Sequence, residues 1–412
     1  MTEHFDALET RLPEERERAL MAALAAQIAH ARANAPFYAR LLADVDPATI
    51  NSRAALAGLP VTRKSALLET QKAAPPLGGL LAVKLSQVAH VYMSPGPIFE
   101  VDTTASDHQG AARAMHAAGF RAGDIVYNTF SYHLTPAGMM MDASARALGC
   151  VVVPGGVGNT ELQLDAIEAI RPAAYVGTPS FLKILLDRAA EQKRDVSSLR
   201  RALVGAEALP AVLREGFRAR GVSVLQCYGT ADLGIIAYES AALEGMIVDE
   251  SIMLEIVRPG TGDPVGEGEV GEVVVTTFNQ AYPLLRFATG DLSALLPGQS
   301  PCGRTNIRIR GWMGRADQRT KVRGMFVDPA QVAAVAKRHP ELGRLRLVVD
   351  WVDQADVMVV KAETAQASPE LARAVAATVQ ALCKVRGAVE LMAPGQLPND
   401  GKIIDDLRPI DT

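Results

Sequence analysis

Between residues 110 and 230 the chain repeats one pattern: a helix-period segment, then a short apolar run that stops at glycine or a polar residue. "QGAARAMHAAGF" reads as helix and "DIVYNTF" as strand; "AGMMMDASARALG" and "CVVVPGG" repeat the pair. "TELQLDAIEAIRP", "SFLKILLDRAAEQ" and "PAVLREGFRARG" continue as helices, interleaved with the strands "AAYVGTP", "RALVGAE" and "VSVLQCYGT". Strands that are apolar throughout are buried on both faces, and helical crossovers make them parallel. The fold class is therefore α/β, a largely parallel sheet covered by helices.

The flanking segments differ. Residues 13–45 read as helical, with Pro13 and glutamates in the first turn and Pro36 as the stop. After residue 245, "GMIVDESIMLEIV", "GEVGEVVVTTF" and "LLRFATGDLSALL" read as strands between Gly/Pro turns. This is a β-rich submodule, about 245–316, of a large N-terminal domain spanning 1–316. Residues 317–412 carry "PAQVAAVAKRHP", "LRLVVDWVDQADVMVVKAET" and "PELARAVAATVQALCKVRG", a small α+β C-terminal domain. No Pro/Ser-rich linker separates the two, so the junction is a hinge, and 412 residues suit more than one core.

Lys and Arg number 42 against 46 Asp and Glu, a net charge of −4, which gives no basic excess for nucleic acid or an anionic membrane. The N-terminus is polar and no apolar run is long enough to span a bilayer, so a cytoplasmic protein is expected. Cys150, Cys227, Cys302 and Cys383 form no C-x-x-C pair and are expected to be reduced thiols. No G-x-x-x-x-G-K-[ST] is present, and the one G-x-G-x-x-G match, Gly266–Gly271, leads into a strand and not from a strand into a helix, against a P-loop kinase or a dinucleotide dehydrogenase.

Open α/β sheets bind ligands at the carboxyl ends of their strands. Three ends qualify here: Gly177-Thr178-Pro179, Gly205-Ala206-Glu207, and Tyr228-Gly229-Thr230 with Asp232 just beyond. Asp291 in "FATGDLS" can accept two ribose hydroxyls or simply stabilise a turn. Arg315, Asp317, Lys321 and Arg323 surround a hairpin punctuated by Gly324 and Pro329, and Lys402 follows a turn glycine near the C-terminus. "VYMSPGPIFEVDTTASD" reads as strand, tight turn and second apolar run. A glycine turn there can cradle phosphate, but two prolines remove backbone donors.

Taken in order, "FYARLL", "LPVTRKSALLE", "VVPGGVGNTELQLDAIEAIRPAAYVGTPSFLKIL", "VGAEAL", "CYGTADLG", "LLRFATGDLS", "CGRTNIRIRGWMGRADQRTKVRGMFVDP" and "GKI" resemble the phenylacetate–CoA ligase-like branch of the adenylate-forming (AMP-binding) acyl-CoA synthetases. The resemblance covers nearly the whole chain. It implies a large N-terminal domain and a mobile C-terminal one. It also implies ATP, Mg²⁺ and coenzyme A, an aromatic or other small organic acid, an acyl-adenylate intermediate, and thioester formation. By match of motif, Gly205, Ala206 and Glu207 border the adenine with Gly229 and Thr230, and Tyr228 stacks on it. Asp291 takes the ribose hydroxyls with Arg315 in support, Asp317 lies at the hinge, and Lys402 reaches the attacking carboxylate and α-phosphate. Asp232 stands for the Mg²⁺-associated glutamate, Ser94 and Gly96 remain of the phosphate loop, and Arg323 and Gly324 face coenzyme A. The acid's pocket is expected around Tyr132, His133, Ala137, Gly138, Tyr175 and Ile235. A carrier-protein thiol as acceptor, and a homodimer, stay open.

The departures cluster on the phosphate side. "SPGPIFEVD" is shorter than the family's loop and lacks its lysine and threonine pair. Ala231 replaces a hydroxyl residue, Asp232 a glutamate, and Ala288 an arginine. Each lost charge-assisted contact costs about 1.5–3 kcal/mol. Two readings follow: a working ligase, favoured by Lys402, Asp291, Arg315 and Glu207, or a non-catalytic adenylate-fold protein that binds a nucleotide or acyl-CoA.

Overall fold

The computed structural model describes residues 4–94, 98–103, 110–316, 320–323, 325–352, 355–398 and 400–408. The chain forms two compact units. The first comprises Met1–Glu255, Val274–Thr289 and Ala294–Trp312; the second comprises Ile256–Val273, Gly290–Ser293 and Met313–Thr412.

In the first unit the βα run builds a nine-stranded sheet. Val151–Pro154, Ile125–Asn128, Ala174–Gly177, Arg201–Val204 and Ser223–Thr230 lie side by side in parallel. Gly234–Glu239, Met246–Val248, Arg308–Ile309 and Leu295–Leu296 extend it antiparallel. The expected helices appear as Ala111–Ala117, Ala137–Ala147, Thr160–Ile170, Pro179–Gln192 and Ala211–Ala219. Alternation along the strands sends neighbouring residues to opposite faces. Val126, Val176, Leu203 and Cys227 therefore enter one buried core, while Tyr127, Tyr175, Ala202 and Val204 enter another.

Two strand readings need correction: "LLRFATGDLSALL" divides into Phe287–Ser293 and Leu295–Leu296, which join different sheets, and an earlier run divides too. The run "GMIVDESIMLEIV" is not one strand but two, Met246–Val248 and Ile252–Val257. The break is chemical: the Asp249 side chain accepts a hydrogen bond from the Ser251 backbone N–H (2.8 Å), a local turn that competes with the ladder. The first piece completes the large sheet.

Val88–Ser94 and Ile98–Thr103 form an antiparallel hairpin in register Ser94 to Ile98, as the sequence suggests. Helix Lys64–Ala73 docks beside it. The Gln71 amide donates to the Phe99 carbonyl (2.7 Å) and accepts from its N–H (2.9 Å), acting as a missing neighbour strand. Nearby in the same unit, Arg286 is fully buried. It meets both oxygens of Glu255 (3.0 and 3.1 Å) and donates to the carbonyls of Ala57 (2.7 Å) and Leu59 (2.6 Å).

The second unit contains a four-stranded sheet in the order Ala388–Met392, Ala355–Glu363, Leu345–Val352, Ile404–Asp406. Helices Pro329–Arg338 and Pro369–Cys383 accompany it. Val322, Val335, Leu347, Val349, Val375 and Ile404 belong to its core. This is the α+β arrangement expected of the C-terminal segment. Cys150, Cys227 and Cys383 are buried, Cys302 is half-buried, and all four are free thiols. Among the described residues no helix is long and apolar enough to cross a membrane.

Candidate active site

The carboxyl ends of the central strands open on a cavity of about 210 Å³ in the first unit. Its floor is backbone from two expected places, Gly205-Ala206 and Gly229-Thr230-Ala231. Its walls are Phe130, Met140, Met141, Cys227 and Ile235, with Pro136 and Ala137 from the start of helix Ala137–Ala147. Among the described residues no carboxylate, lysine, arginine or histidine lines it; Ser94, Thr135 and Thr230 supply hydroxyls. The backbone is special at both floor segments. Ala206 has φ +66°, and a Cβ at Gly229 would stand 2.3 Å from the Gly234 carbonyl oxygen.

The expected pocket residues divide accordingly. Ala137 and Ile235 line the cavity. Tyr175 does not, because alternation puts it in the core on the opposite face from Cys227. There its hydroxyl accepts from Thr129 (2.7 Å) and donates to the Thr178 carbonyl (3.2 Å), and burial pushes the phenol well above its ordinary range. Tyr132 is tied away from the cavity, accepting from the Asn128 amide (2.8 Å) and donating to Asp142 (3.3 Å). His133 is exposed in a turn. Gly138 has a steric role: a Cβ there would meet the Ser131 carbonyl oxygen at 2.5 Å.

Glu207 projects past the floor and accepts from the backbone N–H and hydroxyl of Ser180 (3.2 and 2.9 Å), while its own carbonyl accepts from Gln226 (2.9 Å). Tyr228 is buried and, by strand alternation, points to the face opposite Cys227 and the cavity. The Thr230 hydroxyl accepts from the Leu233 N–H (3.3 Å), shaping the turn that carries Ala231 and Asp232.

Asp232 is the centre of a cluster that reading the sequence missed. Its side chain is fully buried, and Lys64 Nζ lies 2.5 Å from Oδ2. Glu100, on the second hairpin strand, is also buried and interacts with the Asp232 carboxylate. Ser94, which lines the cavity, donates its hydroxyl to Glu100 Oε1. Burial first, then the Asp232 charge, push the Glu100 carboxyl up to about 8. Glu100 had a sequence signal: it sits two residues from Ile98 on the same strand face, where the pattern calls for an apolar residue. Lys64, 168 positions from Asp232, had none.

In the second unit, Arg315 Nη1 lies 3.0 Å from Asp291 Oδ1, and the two residues also pair through their backbones. Lys402 is half-exposed and pairs with Asp405 (2.8 Å). Gly401 before it has φ +72°, and a Cβ there would stand 2.8 Å from Val270 and 3.1 Å from Leu292. The turn that carries Lys402 thus packs beside the strand that carries Asp291. Arg323 is exposed at φ +48°; its backbone N–H and guanidinium bind Asp356 (2.6 and 3.0 Å). Gly96, Asp317 and Gly324 lie outside the described residues.

Comparison with known proteins gives the family. Residues 104–281 match the family model described as AMP-binding enzyme. The chain is 36% identical over 355 residues to a phenylacetate-coenzyme A ligase of Thermus thermophilus, covering 81% of this chain and 78% of that one. It is 31% identical over 357 residues to a phenylacetate-coenzyme A ligase of Aromatoleum evansii, covering 82% and 79%. Among solved structures it resembles an open conformation of 2-hydroxyisobutyryl-CoA ligase in complex with 2-HIB-AMP and CoA. The TM-score is 0.74 and the identity 26%, covering 96% of this chain and 92% of that one.

Proposed function

Because this chain belongs to the phenylacetate–coenzyme A ligase family of AMP-binding enzymes, and so is an AMP-forming acid–thiol ligase that activates an acid as its AMP adduct and passes it to coenzyme A, we propose that its acid is small, compact and aromatic. The observation that carries this is the cavity of about 210 Å³, walled by Phe130, Met140, Met141 and Ile235, with no ionised side chain among the described residues that line it. Ligand pockets commonly run from about 300 to 1,000 Å³. A cavity below that range suits a single ring better than a long alkyl chain, and its walls offer a polar acid only hydroxyls.

The remaining roles follow from charge. Two anions must meet, so the reaction needs cations and fixed donors where negative charge develops. Asp291, held by Arg315, suits the ribose hydroxyls. Lys402, resting on Asp405, is assigned to the attacking carboxylate and the α-phosphate and must leave Asp405 to act. The floor at Gly205-Ala206 and Gly229-Thr230 brings backbone close to the adenylate, and the buried walls keep the activated acyl group from water.

Mg²⁺ fits the residues present. Asp232 Oδ1 is buried with no hydrogen-bond donor among the described residues, and a hard cation takes carboxylate oxygen together with phosphate and water. When bound, Mg²⁺ supplies charge neutralisation on the phosphates.

The test is carboxylate-dependent pyrophosphate exchange across a panel of acids. Phenylacetate-type acids are expected to exceed short hydroxylated acids and medium-chain fatty acids at least about tenfold in kcat/KM, and Ile235→Trp to abolish that preference. A short hydroxy acid as the best substrate would sink the aromatic assignment.

A further inference from the structure

Lys64, Ser94, Glu100 and Asp232 come from four separate pieces of chain: the start of a helix, the two strands of the hairpin, and the turn after the last parallel strand. Each carboxylate has one oxygen held and one left over. Lys64 holds Asp232 Oδ2 and Ser94 holds Glu100 Oε1. Asp232 Oδ1 and Glu100 Oε2 have no hydrogen-bond donor among the described residues. The Asp232 side chain is 0% exposed and Glu100 only 3%. Ionised carboxylate oxygens only accept. Both ionised, as they must be to hold a cation, the two groups repel unless positive charge lies between them; one lysine against two carboxylates then leaves a unit of negative charge, which a proton shared between them or a cation cancels.

This is the layout of a cation site whose ligands are oriented from behind. Holding the outer oxygen of each carboxylate fixes the direction of the inner one, as outer partners do for metal ligands. Among the described residues no group of three or more His, Cys, Asp or Glu suits a metal, so the protein offers two carboxylates and leaves the rest to water or substrate. That number suits a small hard cation.

We propose that Glu100 joins Asp232 as a second carboxylate ligand, so that the site takes up a divalent cation before any nucleotide binds. The inference rests on the ligase reading of this site. With one carboxylate, the cation depends on substrate phosphates for its hold. With two that are buried and aimed, it is captured by the protein and waits beside Ser94, at the edge of the acid's cavity.

The experiment titrates Mn²⁺ into the full chain without nucleotide, at one fixed pH, reading free Mn²⁺ by electron paramagnetic resonance. AMP binding is measured separately by calorimetry without metal. The wild type is expected to take up one Mn²⁺. Glu100→Gln and Asp232→Asn should each weaken it about tenfold or more, while Glu100→Gln leaves AMP affinity unchanged. A wild type that binds AMP but takes up no Mn²⁺ without nucleotide overturns the proposal; so does a Glu100→Gln variant that binds Mn²⁺ as the wild type does. In that case the two carboxyl groups merely share a proton. Failure of the wild type to bind AMP would count instead against the ligase reading.

Discussion

Arg286 and Lys64 each meet a buried carboxylate in the first unit, and the two pairs are finished differently. Arg286 grips both oxygens of Glu255 and spends its other donors on the carbonyls of Ala57 and Leu59. Lys64 holds one oxygen of Asp232 and leaves the other without a donor among the described residues, and a second such carboxylate oxygen lies beside it on Glu100. A closed network is what a core needs, since each unmet polar atom there costs about 1–3 kcal/mol. An open one survives when a ligand completes it. The contrast separates architecture from chemistry among groups that look alike by burial and charge.

The largest effect should come from the closed pair. Arg286→Met strands Glu255, whose carboxyl burial already pushes upward despite the guanidinium, and should destabilise the unit by about 3–5 kcal/mol. The double variant Arg286→Met/Glu255→Leu should recover most of that loss in thermal unfolding; no recovery would mean that the pair is more than a structural clasp. Lys64→Met should cost less, about 1–3 kcal/mol, because Asp232 can take a proton or a cation. Its unfolding temperature should be partly restored by Mn²⁺, which would do nothing for Arg286→Met.

Glu100→Gln should be milder still and depend on pH in metal-free buffer. Glu100 is faced by Asp232, Lys64, Ser94 and, further off, the Tyr282 phenol. Between its ordinary value of 4.5 and about 8, the folded chain keeps a proton that the unfolded chain has lost. The stability this provides is fully present below the lower value and lost as pH rises through the upper. The wild-type unfolding temperature should therefore fall from pH 5 to pH 8 more steeply than that of the variant. Equal slopes would show that the open cluster is not under electrostatic load. The smallest effect belongs to Lys72→Ala, which breaks an exposed pair with Glu69 and should leave the unfolding temperature unmoved.

The same contrast explains what could be read in advance. The βα run was legible because strands buried on both faces are apolar throughout and end at glycine; "RALVGAE" declared a strand and a cavity-lining end, whereas "AAYVGTP" declared a strand whose Gly177-Thr178-Pro179 end does not line the cavity. The floor glycines followed from that pattern. Tyr175 stays out of the cavity because a one-residue alternation decides which face a strand side chain serves, and Tyr132, in the loop after Ile125–Asn128, is drawn aside by its hydrogen bonds with Asn128 and Asp142. The break within 246–257 turned on one Asp249 hydrogen bond. Lys64 was out of reach because its meaning depends on a contact across 168 residues, which no local period encodes. Phe130 and Met141 are core and Met140 packs against it; all three also line the cavity where the sheet ends.

The close approach of Gly229 to the Gly234 carbonyl has a consequence for how such an enzyme can change its diet. Any side chain at 229 would have to push adjoining strands away from each other, so the cavity cannot be resized from below. On the proposed reading, new acid preferences, whether arising by drift or by directed evolution, enter through the side chains of the walls, at Met140 and Met141 on the helical rim or at Ile235 on the neighbouring strand. There a swap of one hydrophobe for another alters volume and leaves the sheet's hydrogen bonds untouched.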